Sequence, residues 1–234
     1  DPRSGLYVQQ VLCSLHEELD VRALRRAWDQ VMVLHPALRT SFRWDGVDEP
    51  LQDVHDRVDL SFEERDWRDL APADQQRQFE QFLALDRAKG FDLAQPPPLR
   101  LALFRMGDAA YELVFTYHHI IADGLARAIL VSQVFALRDA YCEGRYLELE
   151  RPRPFRDHID WLRQTGSSGS EPYWRQLLGG FTAPITLDTI PKTGDADDGG
   201  GRRGERDLHL TDAMTSLLNA SAKQHNLTLN TLVQ

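Results

Sequence analysis

Imidazole is the one side chain whose unperturbed titration falls near neutral pH, so adjacent histidines are the first place to look for proton chemistry. They occur in Tyr117-His118-His119-Ile120-Ile121-Ala122-Asp123-Gly124, where an apolar, strand-like run gives way to a helical one. Side chains alternate along a strand, so His118 and His119 face opposite sides and at most one enters a given cavity. Asp123 is placed to cap the following helix, and Gly124 to give the turn backbone freedom. For an arbitrary histidine pair, two core imidazoles and an N-cap explain everything. The complete His-His-x-x-x-Asp-Gly pattern at a strand end offers more. An uncharged imidazole there can take a proton from a nucleophile, while the carboxylate fixes the loop and an arginine partner. Those parts suit attack by an amine or hydroxyl on an activated acyl group.

Other chemistries lack their parts. A metal site needs three or four converging ligands, but there is no cysteine pair, no His-Glu-x-x-His, and the other six histidines are scattered. The expectation is no metal and no bound organic cofactor. Gly-x-Gly-x-x-Gly, phosphate-loop and Gly-x-Ser-x-Gly patterns are absent. Arg22, Arg25 and Arg26 form a basic patch that reads first as a solvated helix face.

The elements that must position the motif follow from periodicity and punctuation. Residues 6–15 read as a strand, Asp20 as an N-cap, and Leu24, Trp28, Val31 and His35 as a helix stripe ended by Pro36. Residues 38–44 read as a strand closed by an Asp45-Gly46 turn, with shorter strands at 51–54 and 58–62. Pro72 opens a helix that Gly90 stops. Residues 99–106 and 111–121 form a hairpin about Gly107-Asp108, and 125–141 is a mostly buried helix. Helical segments follow at 157–163 and 172–178, separated by a loop at 164–170. A Gly- and Asp-rich stretch at 191–206 is the best hinge, and 227–234 reads as helical. Strands alternating with helices, plus one hairpin, predict an α/β fold with a mixed, partly antiparallel sheet flanked by helices.

Composition narrows the function class. The chain has 234 residues, 42% hydrophobic and 27% charged, enough for a sizeable core. A net charge of −9 argues against a nucleic-acid partner. Cys13 and Cys142 read as reduced thiols and small core residues, which points to the cytoplasm. No apolar stretch is long enough to span a bilayer; the best, 126–137, is broken by Arg127, Ser132 and Gln133. A start without Met and an end inside a helical segment are what a slice of a larger protein would show.

The motif resembles the signature of condensation domains of nonribosomal peptide synthetases, within the chloramphenicol-acetyltransferase-like superfamily. His35-Pro36-Ala37-Leu38-Arg39-Thr40-Ser41-Phe42 resembles the family's Arg-His-x-x-Leu-Arg-Thr-x-Phe block, with Leu34 at the first Arg. Phe155-Arg156-Asp157-His158-Ile159-Asp160-Trp161 resembles its Tyr-x-Asp-Tyr-x-x-Trp block, and Tyr173-Trp174 with Leu177 the helix beyond. After Gly124 the family usually has Trp-Ser, whereas this chain has Leu125-Ala126.

The resemblance implies a chloramphenicol-acetyltransferase-like lobe at 1–190, a hinge at 191–206, and the start of a second lobe at 207–234. It implies peptide-bond formation between a donor acyl or peptidyl thioester and an acceptor aminoacyl thioester. Donor and acceptor carrier proteins of a multidomain synthetase would present both on phosphopantetheine arms. His119 would be catalytic, as a base or as a hydrogen-bonding positioner. His118, Asp123, Gly124 and Arg39 would be structural, with Asp123 and Arg39 in a buried ion pair. The basic patch on the first helix would be a candidate carrier contact. Chain-elongating domains that accept an L-configured donor look most similar. An ester-forming relative and a non-catalytic carrier-docking module are the alternatives.

Overall fold

A strand buried on both faces needs a near-continuous apolar run, and residues 99–104 and 113–117 are the longest such runs in strand-like context. In the computed structural model, which describes residues 7–166, 169–182 and 208–233, these runs form the centre of a four-stranded sheet. The strands are β1 (Val8–Leu15), β4 (Phe62–Asp66), β5 (Leu99–Gly107) and β6 (Ala110–His118), in the order β1-β6-β5-β4. β6 runs antiparallel to both neighbours, and β4 pairs parallel with β5. A second, two-stranded antiparallel sheet joins β2 (Thr40–Arg43) to β3 (Leu51–Val54).

One face of the large sheet is covered by α1 (Val21–Leu34) and α3 (Gly124–Cys142), which pack on each other. Leu101, Leu103, Leu113, Phe115 and Tyr117 meet Leu24, Trp28, Val31, Leu130, Val134 and Leu137 in this core. The other face carries α2 (Pro72–Lys89), with Phe104 at its centre. The Phe104 ring lies 4.5 Å from Trp67, 4.7 Å from Phe82 and 5.3 Å from Phe79. Asp20 caps α1 by accepting from Arg22 N and Ala23 N, and Gly90 ends α2 at φ +62°. Beyond α3 come α4 (Phe155–Thr165) and α5 (Glu171–Leu177). The chain divides into two compact units, Asp1–Ile185 and Thr186–Gln234. The second contains α6 (Asp212–Gln224) and α7 (Leu229–Val233).

The mixed α/β architecture agrees with expectation, while several elements differ. Residues 36–39 form a 3-10 turn, since Pro36 fixes a helical φ at its first position, and the strand begins only at Thr40. The strand expected at 58–62 lies at Phe62–Asp66, hidden by its charged sequence at the sheet edge. The strand expected at 111–121 ends at His118. α3 is one-sided rather than mostly buried, with Leu125 and Ile129 exposed. Cys142 is exposed rather than in the core. α4 runs to Thr165, so the loop expected at 164–170 begins later. The hinge expected at 191–206 lies outside the described residues. No helix among the described residues is long and apolar enough to cross a membrane.

Phe104 is fully buried among three aromatic rings, so Phe104→Ala leaves a large cavity. The expected loss is about 3–5 kcal/mol of unfolding free energy, read by chemical denaturation. A loss under about 1 kcal/mol would mean that the face under α2 is not closely packed.

Candidate active site

β6 carries the histidine pair, so its surroundings fix where the pair stands. It is hydrogen-bonded along both edges, with Val8 opposite His118 and Leu99 opposite Tyr117. The pairing extends just past the last residues. His118 N donates to Pro98 O at 3.0 Å, and His119 N donates to Tyr7 O at 2.7 Å. The chain then turns, with Ile121 N donating to His118 O at 3.2 Å. His118 is half-buried at the strand end, and His119 is exposed in the turn beyond it. His118 is the last residue of β6 and His119 lies just beyond it, so strand alternation alone does not place the second ring.

The hydrogen bonds assign the ring protons. A carbonyl oxygen can only accept, so the 2.8 Å contact between His119 Nδ1 and Ala122 O requires Nδ1 to donate. In the uncharged ring the lone pair is then on Nε2. His118 is the opposite case: Ile120 N donates to its Nδ1 at 3.1 Å, so the proton is on Nε2. Burial, and secondarily the neighbouring His119, push the His118 titration below its ordinary value. The Tyr7 ring lies 6.0 Å from that of His118. His118 therefore holds the turn as an uncharged acceptor while His119 presents the free nitrogen.

Asp123 caps α3 as expected, its Oδ1 accepting from Ala126 N at 2.8 Å. The expected ion pair with Arg39 is not formed. Asp123 is exposed, and the Arg39 guanidinium is taken up elsewhere. Its Nε donates to Met32 O at 2.8 Å and its Nη2 to Val33 O at 3.4 Å. Its Nη1 donates to His55 O and, at 3.1 Å, to Asp56 O. The reason is local. Arg39 ends the 3-10 turn directly after α1, within reach of the carbonyls that a helix C-terminus leaves open. It ties α1 to the loop after β3. Gly124 also differs from expectation. Its φ is ordinary, and an added Cβ would meet nothing within 4 Å, so the turn itself does not demand glycine.

The first-helix arginines are partly committed. Arg25 pairs with Glu64 at 2.6 Å and lies 4.4 Å over the Phe62 ring, while Arg26 lies 4.1 Å over Tyr141. Burial raises the Cys13 thiol above its ordinary titration, so it is no poised nucleophile. Among the described residues no group of three or more His, Cys, Asp or Glu side chains could hold a metal ion. The Ala122 carbonyl and the Tyr7 and Pro98 contacts are invisible in the sequence, because backbone partners leave no residue-type signal.

Two measurements check this geometry. The depressed His118 titration means that the unfolded chain binds its proton first. The contribution of His118 to stability is therefore fully present above about pH 6.5 and is lost as pH drops towards its folded-state midpoint. Histidine-resolved NMR titration should give His118 a midpoint below 6.5, and a midpoint above it contradicts the assignment. Asp123→Ala should cost about 1 kcal/mol, the usual loss of an N-cap, and leave the chain folded. Arg39→Ala should cost more in the same denaturation assay, since it leaves the part-buried carbonyls of Met32 and His55 without their donor.

The family model for the condensation domain matches residues 1–234. A linear gramicidin synthase of Brevibacillus parabrevis is 36% identical over 230 residues, which is 98% of this chain and 4% of that protein. Bacitracin synthase 3 of Bacillus licheniformis is 32% identical over 234 residues, 100% of this chain and again 4% of that protein. The chain thus spans only a few hundredths of these relatives. Among solved structures, the starter condensation domain of rhizomide synthetase RzmA superposes with a TM-score of 0.69 at 23% identity, over 78% of this chain and 45% of that one. SgcC5 from Streptomyces globisporus superposes at 0.65 and 26% identity, over 76% and 41%. Both share the fold described above. The chain belongs to the condensation-domain family of nonribosomal peptide synthetases.

Proposed function

We propose that this chain is the histidine-bearing N-terminal lobe of an amide-forming acyltransferase, with residues 207–234 opening the second lobe. The observation that carries the reading is the exposed His119 ring, tied through Nδ1 to Ala122 O with Nε2 left to meet a substrate proton. The acceptor amine nitrogen attacks the donor thioester carbonyl, the C–N bond forms, and the C–S bond breaks. The proton lost by the amine nitrogen ends on the departing thiolate sulfur, carried there by His119 Nε2 or transferred while the ring only holds the amine by a hydrogen bond. His118 and Asp123 hold the turn and the helix start. Arg39 acts at one remove, by fixing α1 and the β3 loop. Donor and acceptor arrive on phosphopantetheine arms of carrier proteins in a multidomain cytoplasmic synthetase, so the domain needs no bound cofactor of its own.

The test uses the intact parent domain with loaded carrier proteins. His119→Ala should lower the condensation rate by about 10²–10⁴-fold while carrier binding persists. Binding without condensation in the unaltered parent would establish a docking module instead. Preference for a hydroxyl over an amine acceptor would establish an ester-forming enzyme.

A further inference from the structure

Gln10, Thr116 and Arg100 form one row across the large sheet. Gln10 lies opposite Thr116 in the β1–β6 pairing, and Arg100 lies opposite Thr116 in the β5–β6 pairing. One carboxylate from α2 meets all three. Asp86 Oδ2 accepts from Thr116 Oγ1 at 2.6 Å and from Gln10 Nε2 at 2.7 Å. Its Oδ1 accepts from Arg100 Nε at 2.5 Å. The donors are bound in turn to the helix backbone: Arg100 to the carbonyls of Asp86 and Gly90, and Gln10 to that of Leu83. The Asp86 side chain is 7% exposed and that of Arg100 13%. A cleft of about 400 Å³ opens alongside, but these polar groups are satisfied by one another and leave no unmet partner for a ligand.

A buried charged cluster of this kind adds little net stability, since an apolar replacement of similar shape is often no worse. What it supplies is geometry. Thr116 is two residues before His118 on the same face of β6, and Tyr117 between them enters the opposite core. The row is therefore the last set of side chains on that face before the strand ends in the histidine pair. Apolar packing tolerates small slides and tilts of a strand, whereas three directed hydrogen bonds to one carboxylate do not.

We propose that Asp86 is a positioning residue for His119. By binding β1, β6 and β5 to α2 in a single row, it fixes the height and tilt of the β6 end, and thereby where the His119 ring stands. The inference rests on the reading of His119 as the acting imidazole. It assigns no substrate contact to Asp86.

The test compares Thr116→Val, which keeps the shape and removes only the hydroxyl, with Thr116→Ser, which keeps the hydroxyl. Asp86→Asn is the second arm, and Val114→Ala, a packing change on the same sheet face, is the control for lost stability. In the intact parent domain, Thr116→Val and Asp86→Asn should lower kcat about 10–100-fold with KM for both loaded carriers unchanged, because a misplacement of about 1 Å carries a penalty of that order. Thr116→Ser should restore most of the rate. In histidine-resolved NMR of the 234-residue chain, the His119 ring signals should move in Thr116→Val and stay put in Val114→Ala. Unmoved His119 signals together with wild-type kcat in Thr116→Val would overturn the proposal, whatever Asp86→Asn does to folding. The NMR arm reads ring position without catalysis. If His119→Ala left condensation intact, the functional reading would fall while the geometric result stood.

Discussion

Everything at the candidate site depends on β6 being paired along both edges. A strand at a sheet edge can bend or slip, but one held between β1 and β5 cannot move without breaking hydrogen bonds on two sides. The pairing continues through His118 N to Pro98 and His119 N to Tyr7, so the ladder ends where the candidate site begins. From there only the short segment His119 to Ala122 separates a strand paired on both edges from the capped start of α3. A ring on so short a tether, with its own Nδ1 bonded inside the same turn, has little freedom left.

Electrostatics divides labour within that turn. His118 and His119 are neighbours in sequence and opposites in proton placement, because one meets an N–H and the other a carbonyl. Burial keeps His118 from charging, which preserves its bond from Ile120 N and spares His119 a cation beside it. Several arginines of α1 and of the 3-10 turn after it hold elements together. Arg39 staples α1 to the β3 loop, and Arg25 and Arg26 lie over Phe62 and Tyr141. The basic patch expected on α1 is thus in part a set of packing contacts.

The parts of this fold legible in the sequence are those written in side-chain type. Asp20, Pro72, Gly90 and Asp123 mark helix ends by their own chemistry, and the apolar runs of β5 and β6 announce strands buried on both faces. The hairpin at Gly107-Asp108 is equally plain. What stays hidden depends on distant partners. The parallel pairing of β4 with β5 arises from the α2 crossover, and the charged sequence of β4 carries little strand signal. Arg39 shows the same limit at the site. Its family block places it near the motif, but four backbone carbonyls, which no residue code reveals, decide where its charge goes. Arg100 and Thr116 interrupt apolar strands, but Asp86 is one of many charged residues in α2. Only the pairing register shows that they converge.

The partner chosen for His119 bears on what the ring can do in the proposed reaction. A carboxylate behind an imidazole stabilises the imidazolium and suits a base that must hold a full proton between two steps. Ala122 O offers only the partial charge of a carbonyl, while still fixing the tautomer and orientation. An aminoacyl amine titrates not far above neutral pH, so a fraction of it reaches the site already uncharged. For such a nucleophile the demanding tasks are aim and desolvation, and the proton becomes acidic only as the C–N bond forms. An aligned Nε2 that accepts a hydrogen bond early and a proton late meets that need without a buried carboxylate partner. It also explains why so much of the surrounding structure, from the Tyr7 and Pro98 contacts to the capped start of α3, is devoted to holding the ring still.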